Sequence, residues 1–114
     1  MKYQMKKNYS LFIGRYSPPH LGHKALFEKV LCKGKNVCIA IRDTEKSSRD
    51  PYSYRNRKKH LKAMLKKYKE LVKIIKIPDI DEVCYGRDVG WEIRKINLDK
   101  KTEAISATKI RDNS

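Results

Sequence analysis

A chain of 114 residues, 39% hydrophobic and 36% charged, has room for one domain with a modest core. Its formal net charge of +15 favours anionic partners, while no apolar run approaches the length of a bilayer span and residues 1–8 lack a signal-peptide core, so a cytoplasmic protein without a membrane is expected. Cys32, Cys38 and Cys84 are odd in number and no two have metal-ligand spacing, which sets aside a cysteine-built redox or metal centre.

Residues 1–8 are polar and basic and read as a lead-in. Tyr9 to Ile13 is a short apolar run, the pattern of a strand buried in a parallel sheet. After a glycine-proline turn, Lys24 to Leu31 carries apolar residues at 26, 27, 30 and 31, the spacing of a helix face. Lys33-Gly34-Lys35-Asn36 puts glycine at that helix's C-terminus. Val37 to Ile41 reads as a second buried strand, with Cys38 as a buried thiol. Arg42 to Asp50 is a polar loop without an apolar anchor. Pro51 takes the first-turn position of a long helix reaching about Glu70, with Leu61, Met64, Leu65 and Tyr68 on one stripe.

Leu71 to Ile77 is strand three, stopped by Pro78, and Asp81 to Tyr85 reads as a short fourth strand. Gly86 and Gly90 mark a loop, and Trp91 to Leu98 partly alternates as strand five. Strands alternating with helices predict an α/β fold: a doubly wound parallel sheet of five strands, in a single domain over 1–114. Such sheets bind ligands beyond the carboxyl ends of their strands. Most of the chemistry-bearing residues follow predicted strand ends.

The first of these segments is Gly14-Arg15-Tyr16-Ser17-Pro18-Pro19-His20-Leu21-Gly22-His23. Glycine lets backbone approach an anion, a helix N-terminus offers free N–H groups, and imidazoles donate to phosphoryl oxygens. His20 and His23 are three residues apart, so one helical turn can aim both rings at one phosphate. Gly22 omits a side chain that would crowd an anion there. Near the C-terminus stands Ile105-Ser106-Ala107-Thr108-Lys109-Ile110-Arg111.

Together these stretches resemble the cytidylyltransferase-like nucleotidyltransferases, whose signatures are a Gly-Arg/Thr-Phe/Tyr turn before His-x-Gly-His and a later Ile-Ser-x-Thr-x-Ile-Arg. The likeness runs from Tyr9 to Arg111 in the family's order. It implies a Rossmann-like fold and transfer of a nucleoside monophosphate from a triphosphate to a small phosphorylated acceptor, with Mg²⁺ as cofactor. The metal comes from the resemblance alone, since no carboxylate cluster in the sequence announces a protein-built site. By the same resemblance, His20, His23, Lys109 and Arg111 are catalytic, the last two neutralising the leaving pyrophosphate. Gly14, Arg15, Tyr16, Gly22, Ser106 and Thr108 would hold the nucleotide, although the Tyr16 ring reads equally as core. Only three residues follow Arg111, fewer than the family's last helix uses, so a short helix or a second subunit would complete that side. A homo-oligomer is in keeping with the relatives.

Arg42-Asp43-Thr44 and Asp50 to Arg57 resemble the substrate-side loop of nicotinamide-mononucleotide adenylyltransferases, which implies that Arg42 and Arg57 face each other and grip the acceptor phosphate. Gly86-Arg87-Asp88-Val89-Gly90-Trp91 falls where the family reads base and ribose. Gly86 would permit close approach, Asp88 bond a ribose hydroxyl, and Trp91 stack on a ring or begin strand five as core. ATP and nicotinamide mononucleotide therefore lead as substrates, although Ile77 to Glu82 has no room for the family's acceptor-binding insert. CTP with a polyol phosphate is the alternative, because Thr102-Glu103-Ala104 resembles the Thr-Glu-Gly of cytidylyltransferases. A non-catalytic nucleotide or nucleic-acid module is the competing class. Its lysines, spread through Lys2–Lys7, Lys58–Lys76 and Lys95–Lys109, suit a solvated surface and disfavour nucleic acid as the main partner.

Overall fold

The computed structural model describes residues 8–44, 52–86 and 92–96. Three strands, β1 (Tyr9–Gly14), β2 (Asn36–Asp43) and β3 (Val72–Pro78), form one sheet in the order β1-β2-β3. Both pairings are parallel, so Phe12 lies beside Ile39 and Ile39 beside Ile74. Parallel neighbours need a crossover, supplied by α1 (Leu21–Leu31) between the first two strands and α2 (Tyr54–Met64) between the last two.

Both helices cover the same face of the sheet. Phe27, Val30 and Leu31 of α1 and Leu61 and Leu65 at the end of α2 join Val37, Ile39 and Ile41 of β2 in a single buried cluster. The three β2 residues alternate, as residues sharing one face of a strand must. Phe12 adds an edge-to-face contact with Phe27 at 5.1 Å between centroids. Each such side chain contributes about 1.5–3 kcal/mol on burial, so this cluster holds the layers together. At the end of α1, Gly34 takes a φ of 74° and its N–H reaches Leu31 O at 2.9 Å, the turn for which glycine was expected.

Several expectations need correction. β1 is not buried on both faces: Leu11 is 59% exposed, and Tyr9 and Ile13 are exposed beside it. The apolar run of a one-sided strand and of a buried one look alike in sequence. The second helix starts at Tyr54 rather than Pro51, because the Ser53 hydroxyl accepts from Asn56 N–H at 3.2 Å and caps it there. It also stops at Met64, giving way to a 3₁₀ segment at Lys66–Leu71. The cause is tertiary: Tyr68 leaves helical geometry, and its hydroxyl donates to Glu28 Oε2 on α1 at 2.8 Å. Asp81 to Tyr85 is irregular rather than a fourth strand, and residues 92–96 of the fifth are likewise without strand pairing. Three strands of the expected five are therefore present among the described residues. No described helix is long and apolar enough to cross a membrane.

Candidate active site

The turn from β1 into α1 sits at the carboxyl end of β1, beside that of the central strand β2, and the two histidines define it. His20 is the N-cap of α1, with extended backbone. Its Nδ1 accepts from Gly22 N–H at 3.1 Å, and its own N–H donates to His23 Nδ1 at 3.1 Å. This is a capping box built from two imidazoles, satisfying backbone donors that the helix start would otherwise leave free. The rings stack with centroids 3.8 Å apart and planes 20° from parallel.

That geometry fixes the chemistry of both rings. Because each Nδ1 accepts a hydrogen bond, the proton of each neutral imidazole lies on Nε2. Burial lowers the pKa of His20; burial, and then the charge of His20, push His23 down to about 4. At neutral pH the pair therefore offers two Nε2–H donors with no hydrogen-bond partner among the described residues, at the positive end of a helix of 11 residues.

Tyr16 is the wall behind this pair. It is 4% exposed, sits at a φ of 53°, and turns its ring edge-on to His23 at 4.8 Å and toward Phe27 at 5.6 Å. Burial raises the pKa of its hydroxyl, so the phenol stays protonated. Left-handed backbone at a tyrosine costs on the order of 1 kcal/mol, which the surrounding packing offsets. Gly14 is needed for the same reason. A Cβ there would meet the Tyr16 ring at 2.9, 3.1 and 3.2 Å. Of the two roles weighed for Tyr16, core packing is the one its ring fills, directly against a site residue.

Two arginines lace the strand ends together. Arg57, 1% exposed, donates through Nη1 to Arg15 O at 2.9 Å and Arg42 O at 2.8 Å, and through Nε to Ser53 O at 3.3 Å. It ties the loop after β1, the end of β2 and the start of α2. The expectation that Arg57 grips an acceptor phosphate is corrected accordingly: its donors serve backbone carbonyls, and water-borne anions cannot reach a side chain so buried. Arg42 points elsewhere. Its Nη2 and Nε lie 2.6 and 2.8 Å from Asp79 Oδ1, and Nη2 reaches Ile80 O at 3.3 Å, which fastens β2 to the segment after β3. The two guanidinium groups do not face each other across a phosphate; Arg57 meets Arg42 at its carbonyl.

Sequence reading missed Asp79, although an acid just past the Pro78 strand stop was its visible signal. It also missed Ser17. The Ser17 hydroxyl, in the turn before α1, is the one buried side-chain polar atom without a hydrogen-bond partner among the described residues.

The profile of the cytidylyltransferase-like family matches residues 11–81, well over half of the chain and inclusive of every contact just described. The chain belongs to that family. No curated protein matches it closely enough to narrow the family further. A cytidylyltransferase-like domain carries a reaction class, nucleotidyl transfer, and its members take nucleoside triphosphates and phosphorylated acceptors. The three parallel strands with their crossover helices are compatible with a Rossmann-like fold.

Among the remaining expected site residues, Arg15 is exposed, Gly22 is buried in the first turn of α1, and Gly86 stands in open space with no atom within 4 Å of a built Cβ. Asp88, Trp91, Ser106, Thr108, Lys109 and Arg111 lie outside the described residues. No group of three or more His, Cys, Asp or Glu among the described residues could hold a metal ion.

Proposed function

We propose that this cytidylyltransferase-like chain is a nucleotidyltransferase that moves AMP from ATP to a small phosphorylated acceptor such as nicotinamide mononucleotide, releasing pyrophosphate. The observation that carries the reading is the reciprocal histidine cap, which supports two oriented, neutral Nε2–H donors beside a helix N-terminus. An oxygen of the acceptor phosphate attacks the α-phosphorus, the Pα–O bond to the β-phosphate breaks, and pyrophosphate departs. The attacking phosphate is already ionised at neutral pH, so no general base is required. Rate comes from holding two anions in line and stabilising charge that grows on the α-phosphate and leaving group.

His20 and His23 would supply donors to that growing charge. Because both rings are anchored through Nδ1, little reorganisation is needed at the moment of reaction. Lys109 and Arg111, with Ser106 and Thr108, are the proposed partners of the β- and γ-phosphates. Mg²⁺ would arrive on the triphosphate and neutralise its oxygens, since the described residues offer no cage of their own. Arg42 would take the acceptor phosphate by exchanging Asp79 for it. Asp88 and Trp91 are proposed for ribose and ring.

The test is a pyrophosphate-release screen of ATP and CTP against phosphorylated acceptors with Mg²⁺. His20→Asn is the informative variant: asparagine keeps an N-cap acceptor but lacks the ring's outer donor. Turnover lost with the fold intact supports the donor role. Turnover with CTP and a polyol phosphate alone would replace the adenylyl reading by the cytidylyl one. No turnover with any pairing, together with unaffected nucleotide binding in His20→Asn, would remove the reading.

A further inference from the structure

A second feature lies away from the histidine turn, on the outer flank of the sheet. Between α2, the 3₁₀ segment and β3 runs a groove of about 510 Å³, with a floor of Leu65, Val72 and Ile74. Its rim carries Lys58, Lys62, Lys66 and Lys69. Lys58 and Lys62 stand one turn apart on α2, and Lys66 and Lys69 follow on the 3₁₀ segment, so like charges line one side. No carboxylate relieves it: the ion pairs among the described residues are Arg42–Asp79 and Lys76–Asp43. Lys58 has only the Tyr54 ring, 5.8 Å away. β3 itself pairs with β2 alone among the described strands, which leaves its other edge as a row of backbone donors and acceptors.

We propose that this groove docks an acidic, extended peptide of a partner protein, which adds as a strand to the free edge of β3. Backbone pairing supplies the register, and the period of two along a strand divides the peptide's side chains. The set that faces α2 meets both parts of the groove, its apolar members resting on Leu65, Val72 and Ile74 and its carboxylates reaching the lysines of the rim; the other set faces away. Charge selects the occupant. A second copy of this chain, at +15, is repelled from the same rim. Single-stranded nucleic acid gains its affinity from aromatic stacking as well as charge, and no aromatic ring lines the groove. The proposal is independent of nucleotidyl transfer.

The probe is a fluorescent eight-residue peptide, Val-Ser-Glu-Ser repeated twice, which puts valine and glutamate on one face of a strand; it is titrated into the full chain by anisotropy. Hydrogen exchange of the β3 amides is followed in parallel. The expected result is saturable binding, slowed exchange in β3, and at least about tenfold weaker binding (about 1.4 kcal/mol) on Lys62→Glu/Lys66→Glu or on N-methylation of alternate peptide amides. Both lysines are exposed, and Lys62→Gln/Lys66→Gln with an unchanged melting curve confirms that loss of binding is not loss of fold. Equal binding of the N-methylated peptide would overturn strand addition. Tighter binding of an eight-nucleotide oligouridylate or of phosphatidylserine vesicles, weakened by the same lysine changes, would overturn the choice of a peptide. Absence of binding would overturn the site.

Discussion

Replacing Gly14 by alanine adds one methyl group, and the geometry says where it lands. The new Cβ would stand 2.9 Å from Tyr16 Cζ and 3.1 and 3.2 Å from the two Cε atoms, whereas ordinary contact begins near 3.4 Å. The ring must retreat by about 0.5 Å. It cannot do so freely, because His23 stands 4.8 Å and Phe27 5.6 Å from its centroid. Overpacking of this kind costs about 1–3 kcal/mol, so Gly14→Ala should lower stability by about 2 kcal/mol in urea denaturation. In the proposed reaction, a displaced His23 should also cut turnover by about tenfold or more, since small misplacements of a positioned donor are expensive. The decisive measurement is a double-mutant cycle with Tyr16→Leu, which removes the three contacted ring atoms and keeps apolar bulk. In that background Gly14→Ala should cost about 0.5 kcal/mol, giving a coupling of about 1.5 kcal/mol. Equal cost in both backgrounds would refute the claim that glycine is required by the tyrosine ring.

Removing Arg57 should be strongly damaging: Arg57→Ala leaves the Arg15 and Arg42 carbonyls without their Nη1 donor, while Ser53 O keeps the backbone N–H of residue 57, and should cost about 3–5 kcal/mol in urea unfolding, with Arg57→Lys failing to restore both Nη1 bonds. Acid should destabilise the fold through His23. The unfolded chain takes up that proton near pH 6.5 and the folded chain only near 4, so stability is level above about pH 6.5 and falls as pH drops toward about 4. Water reaches part of the ring, so this histidine should account for about 2 kcal/mol of the loss, read as the difference in urea midpoints between wild type and His23→Asn across that range. Ser53→Ala should cost about 1 kcal/mol through loss of the α2 cap, with less helical signal and no change in the β2–β3 pairing followed by amide exchange.

The local chemistry was written in the chain. Continuous apolar runs gave the three strands to within a residue or two, the Leu61/Leu65 stripe gave the buried side of α2, and Gly34 gave the end of α1, because period and turn residues act over a few neighbours. The spacing of His20 and His23 likewise sufficed to predict that both rings share one helical turn. What only tertiary structure decided was which polar groups meet over long separations. Arg57 looked like a surface ligand for phosphate until carbonyls of Arg15 and Arg42 surrounded it, and Arg42 acquired Asp79 from a segment 37 residues away. Tyr68 ended a helix that its own sequence would have continued, because Glu28 lies on a different element. A guanidinium or hydroxyl carries no mark of its partner in local sequence; desolvation and hydrogen-bond satisfaction assign one only when the layers close.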